Sequence, residues 1–250
     1  MKKIVGLMRR AVEDYNMIEE GERIAVGVSG GKDSLMLLCA LSKLAEFYPK
    51  KFEVVAITLD MGFSGMDFSP VSKLCEELKV EYHIDKTDIK KIVFDIRKEK
   101  NPCALCANLR RGALHSAAKE RGISKIALGH HFDDAVDTFM LSLIYEGRLG
   151  GFSPKTYLDR RDITLIRPLI YVEEKDIKNY VNKNSLPVVK STCTVDGNSK
   201  RQYIKDLISY IDTDSPEVKK RLFTAMRNSL NGWKVDNLSK TADRLPKKEE

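Results

Sequence analysis

The sequence predicts an α/β fold, a doubly wound parallel sheet of five strands with helical additions at both ends. Three observations lead to it. Short apolar runs alternate with helical stretches long enough to return across a sheet. The segments "SGGKDS", "LDMGFSG" and "GHHFDD" each directly follow such a run, at the edge where open parallel sheets bind their ligands. No internal repeat or Gly/Ser-rich linker divides the 250 residues, so one α/β domain is the simplest organisation.

Ile4, Leu7, Met8, Ala11, Tyr15 and Ile18 recur at helical spacing and predict an amphipathic helix packed on the main body and ended by Gly21. "RIAVGVS" is a short buried strand, followed by the helix "KDSLMLLCALSKLAEFY". "FEVVAITLD" is a second strand, "VSKLCEELK" a helix and "EYHID" a third strand. The basic stretch "KKIVFDIRKEK" is helical, and Asn101-Pro102 read as the cap and first residue of the helix "NPCALCANLRRGAL". "KIALGHH" gives the fourth strand and "DDAVDTFMLSLIYEG" a helix with Asp133 as its N-cap, followed by the last strand, "ITLIRPL". "EEKDIKNYVNKNS" is a helix that Pro187 stops. "NSKRQYIKDLISYI" is another, and Ser215-Pro216 cap and open "PEVKKRLFTAMRNSL" before a polar, frayed end. The expected division is an N-terminal helix over 1–20, the α/β domain over 21–212, and a C-terminal helix with a basic tail over 213–250.

A hydrophobic content of 42% with 32% charged residues describes a globular chain and excludes a disordered one. No apolar run approaches the roughly 20 residues that span a bilayer. "MKKIVGLMRRAVEDY" lacks the apolar core and cleavage site of a signal peptide, so a cytoplasmic protein with no membrane association is expected. A net charge of +7 and a pI near 9.0 suit a polyanionic partner. Five cysteines, an odd number without an export signal, argue against a disulfide scaffold.

"VGVSGGKDS" looks like a nucleotide loop but departs from the Walker pattern, in which a hydroxyl directly follows the lysine. Here Gly27 is one residue too close to Gly31-Lys32, Asp33 follows the lysine, and the hydroxyl comes at Ser34. Small residues at Ser29, Gly30 and Gly31 let successive N–H groups turn inward around an anion, towards which the next helix points its positive end. The plainer alternative is a tight turn that needs glycine only for sterics.

Cys39 and Cys75 lie on apolar helix faces and read as small core residues. Cys103 and Cys106 differ: they stand one turn apart at a helix start with Arg110 and Arg111 a turn later, a setting that favours thiolates. Half of a zinc site, a redox dithiol and iron–sulfur ligation all fit the pair. Cys193, in polar "VVKSTCTVDGNSK", is the other cysteine without an apolar explanation, and His130 or His131 could join it around zinc. The residues alone leave zinc and iron–sulfur open.

"SGGKDS" resembles the PP-loop of ATP pyrophosphatases, which implies the adenine nucleotide alpha-hydrolase-like form of the fold and cleavage of ATP to AMP and pyrophosphate. "CALCANLRRGAL", "KIALGHHFDDAVDTFMLSLIYEGRLGGFSPK" and "IRPLIYVEEKDI" are similar to the tRNA 2-thiocytidine synthetase (TtcA) family. So are "MIEEGERIAVGVSGGKDS", "KRQYIKDLI" and "FTAMRN". The resemblance implies a 4Fe-4S cluster on Cys103, Cys106 and Cys193, although "KSTC" offers a single thiol where some relatives carry two. It implies ATP and Mg2+ at Ser29, Gly30, Gly31, Lys32, Asp33 and Ser34, with Asp60 and Gly129 lining the nucleotide pocket. Lys32 would neutralise phosphate charge, and Asp134 would act in catalysis or hold the metal. It further implies an anticodon-loop cytidine as acceptor, with its C2 oxygen adenylated and then replaced by sulfur from a cysteine desulfurase or other sulfide source. A homodimer follows from the likeness alone. Around such a site the paired basic residues, such as Arg9-Arg10 and Arg160-Arg161, suit an RNA backbone.

Three rivals are weighed: the related TtuA-like 2-thiouridine branch, lysidine synthetase, and a non-catalytic iron–sulfur RNA-binding protein. The first usually adds terminal zinc-finger cysteine pairs that this chain lacks. His130 and His131 read equally as packing residues or substrate contacts, Arg167 as a strand-end residue that meets phosphate. His83 and His115 receive no role.

Overall fold

The computed structural model describes residues 1–98, 102–189, 192–193 and 200–235. Six strands, β1 (Glu22–Gly27), β2 (Phe52–Asp60), β3 (Glu81–Lys86), β4 (Lys125–Ala127), β5 (Lys155–Leu158) and β6 (Ile163–Ile166), form one sheet. Their order is β3-β2-β1-β4-β6-β5, parallel throughout except for the β5–β6 pair. The expected five-stranded parallel sheet therefore gains an antiparallel edge strand. β5 has only four residues and no fully buried position, so its apolar alternation is weak. Its turn, "DRRD", carries no glycine, and Asp162 itself takes the left-handed φ of 47°.

The chain moves outward from β1 through β2 to β3, then returns to place β4 on the other side of β1. The cleft beyond β1 and β4 is thus the point where strand order reverses, and ligands bind at such points. Eight α-helices accompany the sheet among the described residues: α1 (Lys2–Asp14), α2 (Lys32–Ala45), α3 (Ser69–Glu77), α4 (Pro102–Glu120), α5 (Phe132–Tyr145), α6 (Glu174–Lys183), α7 (Lys200–Asp214) and α8 (Val218–Ser229). Side chains alternate across a strand, and β1 divides accordingly. Ile24 and Val26 enter the large core shared with α1, α2, α5 and α6, while Ala25 faces Leu114, Ala117 and Ala118 of α4. Every residue from Leu35 to Leu41 is buried, because α2 is covered by α1 and α6 on the side away from the sheet.

Several helix ends differ from expectation. α1 stops at Asp14 because Asn16 turns left-handed (φ 41°), leaving Gly21 to form the turn into β1. α6 ends at Lys183, with Ser185 left-handed, before Pro187 is reached. α7 runs to Asp214, and Ser215 donates its N–H back to Ile211 O. Ser215 therefore closes α7 instead of capping α8, whose entry is Glu217 at φ 67°. "KIVFDIR" winds as a π-helical turn, Lys91–Arg97, and the expected cap Asn101 lies outside the described residues.

Trp233 is 1% exposed, edge-on to Phe223 and Tyr15, and donates Nε1–H to Phe152 O at 3.0 Å. It joins the segment after α8 to α1 and to the loop before β5. Trp233→Ala is expected to cost about 3–5 kcal/mol, read as a lower midpoint in thermal and urea unfolding. Asp137 is 1% exposed with Oδ2 lacking a hydrogen bond. Burial pushes its carboxyl from 3.8 up to about 6, against the pull of Lys205 and Arg201. The folded protein thus holds this proton to higher pH than the unfolded chain, and stability falls as pH rises from about 4 to about 6. Asp137→Asn removes that loss, so its gain over the unaltered chain should be absent at pH 4 and complete by pH 8, at up to roughly 3 kcal/mol.

Candidate active site

Gly30 adopts φ 81°, and a Cβ there would stand 2.7 Å from Val189 Cβ. Glycine is needed on both counts. Val189 donates its N–H to Gly30 O at 3.0 Å, so the chain after α6 is strapped to the loop. Ser34 Oγ accepts from Ser29 N at 3.1 Å and donates to Gly31 O at 2.9 Å, which fixes the turn from within. Gly31 is the N-cap of α2, and no side chain caps that first turn. Uncapped N–H groups at a helix start form an anion site.

Lys32 Nζ lies 2.9 Å from Asp33 Oδ2 and 3.0 Å from Glu174 Oε1. Burial opposes its charge, but the two carboxylates outweigh burial and raise its pKa. Glu174 also meets Lys178 at 3.2 Å and Lys205 at 3.3 Å. Burial raises its pKa, yet these lysines, Lys32 foremost, bring it down to about 2. Its backbone N–H donates to Asp133 Oδ2 at 2.7 Å, and Asp133 Oδ1 takes Lys219 Nζ at 2.7 Å. Glu174 has no signature of its own in "VEEKDI", where its charge suits a helix start, so sequence reasoning missed it.

The N-cap of α5 is His131, not Asp133. His131 Nδ1 accepts from Asp134 N at 3.4 Å while Asp134 Oδ2 accepts from His131 N at 3.1 Å. Asp133 is turned away towards α6 and α8 by Glu174 and Lys219, and so cannot cap. His131 Nε2 lies 3.4 Å from Asp134 Oδ2 and 3.6 Å from Asp33 Oδ1, and that Asp33 oxygen is buried without a hydrogen-bond partner. Arg201 of α7 holds Asp134 Oδ1 at 3.2 Å. A Cβ on Gly129 would lie 3.1 Å from the carbonyl of Asp33 and the nitrogen of Ser34, so glycine admits the end of β4 against the start of α2.

A cavity of about 490 Å³ opens at this edge. Gly27, Val28, Ser29, Asp33 and Ser34 form its cradle side, and Ile57, Leu59, Met61, Met66 and Phe68 an apolar wall. Helix α4 adds Ala107, Arg110, Arg111, Leu114 and His115, and the β4 end adds Gly129, His130 and Asp134. Asp60, expected here, instead accepts from Gly62 N at 2.9 Å and closes the turn after β2, leaving its neighbours Leu59 and Met61 as lining. Arg167, expected to meet phosphate, is buried over the Phe152 ring and donates to Thr156 Oγ1 at 3.2 Å. It braces the β5 edge. His130 packs its ring 5.0 Å from Phe152, and burial pushes it down to about 4, so it is neutral at pH 7.

Cys39 and Cys75 are buried, and burial raises their thiols to about 11 and about 12. Cys103 is exposed, Cys106 and Cys193 partly so. Contrary to the expected thiolate preference, burial raises the Cys106 pKa; Arg110 works against this, while Cys193 and Cys103 add to it. Cys103 and Cys193 thus lie within electrostatic range of Cys106. Cys106 directly precedes Ala107 and stands one turn before Arg110, both lining the cavity. Among the described residues, no three His, Cys, Asp or Glu side chains stand together as ligands of one metal ion.

Residues 5–209 match the PP-loop domain family. The tRNA-cytidine(32) 2-sulfurtransferase of Geobacter metallireducens is 40% identical over 234 residues, covering 91% of this chain and 90% of the relative. That of Aliivibrio fischeri is 41% identical over 229 residues, covering 91% and 75%. Among solved structures, the U34-tRNA thiolase NcsA of Methanococcus maripaludis, with its 4Fe-4S cluster, superposes with a TM-score of 0.73 at 23% identity, over 91% of this chain and 79% of that one. The NH3-dependent NAD synthetase of Campylobacter jejuni gives 0.51 at 16% identity, over 100% and 99%. Both structural likenesses are likenesses of fold. By domain and by sequence identity, this chain belongs to the tRNA-cytidine(32) 2-sulfurtransferase family of PP-loop proteins.

Proposed function

We propose that the chain is an ATP-dependent tRNA sulfurtransferase that converts an anticodon-loop cytidine, the position-32 base in its relatives' name, to 2-thiocytidine. The observation that carries this reading is a single cavity with an uncapped, glycine-built anion cradle on one side and the cysteine-bearing helix on the other. The catalytic unit is residues 21–212, with 1–20 and 213–250 as additions, and it acts in the cytoplasm. Sulfur comes from a cysteine desulfurase or another sulfide source.

The C2 oxygen of cytosine leaves poorly. Its attack on the α-phosphorus of ATP, with expulsion of pyrophosphate, makes an adenylate whose departing group is AMP. Sulfide then forms the C2–S bond as the C2–O bond breaks. The cradle of Ser29, Gly30 and Gly31 holds the pyrophosphate, and Lys32 neutralises its charge. Asp33 and Asp134, whose carboxylates converge beside the cradle, would hold Mg2+ against the phosphates, as hard oxygen ligands do. Asp134 is oriented by the His131 backbone and Arg201. An unstacked base enters for a few kcal/mol or less.

Cys103, Cys106 and Cys193 would hold a 4Fe-4S cluster. The donor set fits: three thiols from two segments, none of them buried, with Cys103 and Cys193 in electrostatic range of Cys106. When bound, the cluster supplies a soft site for hydrosulfide at its fourth iron.

In a strain lacking this gene, tRNA should contain no 2-thiocytidine, and the intact chain should restore it where Cys193→Ala does not. Intact 2-thiocytidine alongside another missing thionucleoside would redirect the assignment to the 2-thiouridine branch. Purified without oxygen, the intact chain should bind about four irons; a colourless preparation with one zinc per chain would refute the cluster. Glu174→Gln withdraws the carboxylate that Lys32, Lys178 and Lys205 share. Pyrophosphate release should fall roughly tenfold to a hundredfold through misplacement of Lys32, with the KM for ATP rising more than the KM for tRNA.

A further inference from the structure

His115 is 5% exposed and lines the cavity from α4, yet its Nε2 has no hydrogen-bond partner among the described residues. Native structures seldom leave a buried polar atom unpaired, and the exceptions mark strain or function. Burial lowers its pKa, helped by Arg161 and Arg111, so the imidazole is neutral at pH 7 and offers one donor and one acceptor nitrogen. The torsion that turns a histidine ring is roughly two-fold, so a ring flip exchanges the places of donor and acceptor.

Its place along α4 decides what it meets. Nine residues separate it from Cys106, about 13 Å of helix rise. Its neighbour Leu114 reaches to 2.9 Å from where a Gly27 Cβ would stand, at the strand level directly below the cradle. Gly27 is in register with Ile57, and Ile57 and Leu59 of β2 form the apolar wall at that level. The cavity therefore has two ends. The upper end carries Arg110, one turn of α4 beyond Cys106. The lower end is walled by Ile57, Leu59 and Leu114, within reach of a nucleotide whose phosphates occupy the cradle, and its neutral hydrogen-bonding side chain is His115, with the charged Arg111 one turn nearer the cysteines.

We propose that His115 is the residue that hydrogen-bonds the nucleoside half of ATP, which makes the lower end the nucleoside compartment and leaves the upper end to the RNA base. This rests on the reading of the cradle as an ATP site. It is tested by titrating the full-length protein, without tRNA, with AMP, ATP and pyrophosphate in a calorimeter. His115→Leu should weaken AMP and ATP roughly fivefold to tenfold, the worth of one hydrogen bond, and leave pyrophosphate unchanged. His115→Gln, which restores a donor and an acceptor, should recover most of the AMP affinity. The leucine variant should melt no lower than the unaltered chain in the absence of nucleotide, since it removes an unpaired buried atom. Unchanged AMP binding in the leucine variant, or equal weakening of AMP and pyrophosphate, would overturn the assignment. Because these titrations need neither sulfur nor RNA, absent 2-thiocytidine would leave them valid, whereas an unaltered chain that bound no AMP would refute the ATP reading itself.

Discussion

Gly129 has no side chain to hold it off, and the end of β4 accordingly comes to rest against the backbone of Asp33 and Ser34. The 3.1 Å clearances there leave no room for a methyl group. This contact sets the distance between the two central loops at the point where strand order reverses. It brings His131 of one loop within reach of the Asp33 carboxylate of the other and allows Asp134 to face the same cavity as Ser29. A larger residue would part the cradle from His131 and Asp134.

Around that contact the protein keeps an unusual density of half-buried charge. Lys32, Lys178 and Lys205 converge on Glu174, Lys219 pairs with Asp133, and Arg201 with Asp134. The positive partners come from α2, α6, α7 and α8, so the C-terminal helices take part in the site electrostatically as well as through the core. Isolated ion pairs contribute little. A shared carboxylate with three lysines differs, because removing it takes a partner from all three at once and leaves Lys32 with Asp33 alone. The arrangement also explains why a histidine caps α5. Both aspartates that follow it are occupied, one by the helices behind and one by the His131 backbone and Arg201.

The parallel sheet was legible because each of its central strands is a continuous apolar run, as strands buried on both faces must be. β5 was not, since an edge strand with one weakly covered face carries almost no pattern. The phosphate cradle was legible because its chemistry is local: six consecutive residues make it. Glu174 and His115 were not, because their roles depend on partners far along the chain. A glutamate at a helix start and a histidine within a helix look ordinary until the fold sets Lys32 beside one and an open cavity beside the other. Asp60 failed in the opposite sense. Its strand-end position was read correctly, but a one-residue displacement gives the lining to Leu59 and Met61 and turns the carboxylate to the Gly62 amide.

The hydrogen bond from Val189 to Gly30 joins the stretch that leads to Cys193 directly to the anion-binding turn. A tether of this kind works in both directions. Free energy gained by rigidifying Gly30 is felt at Val189, and ordering of Val189 is felt at Gly30 in the same measure. Filling of the anion-binding turn and ordering of the segment at Val189 are therefore linked quantities, joined by this one backbone hydrogen bond.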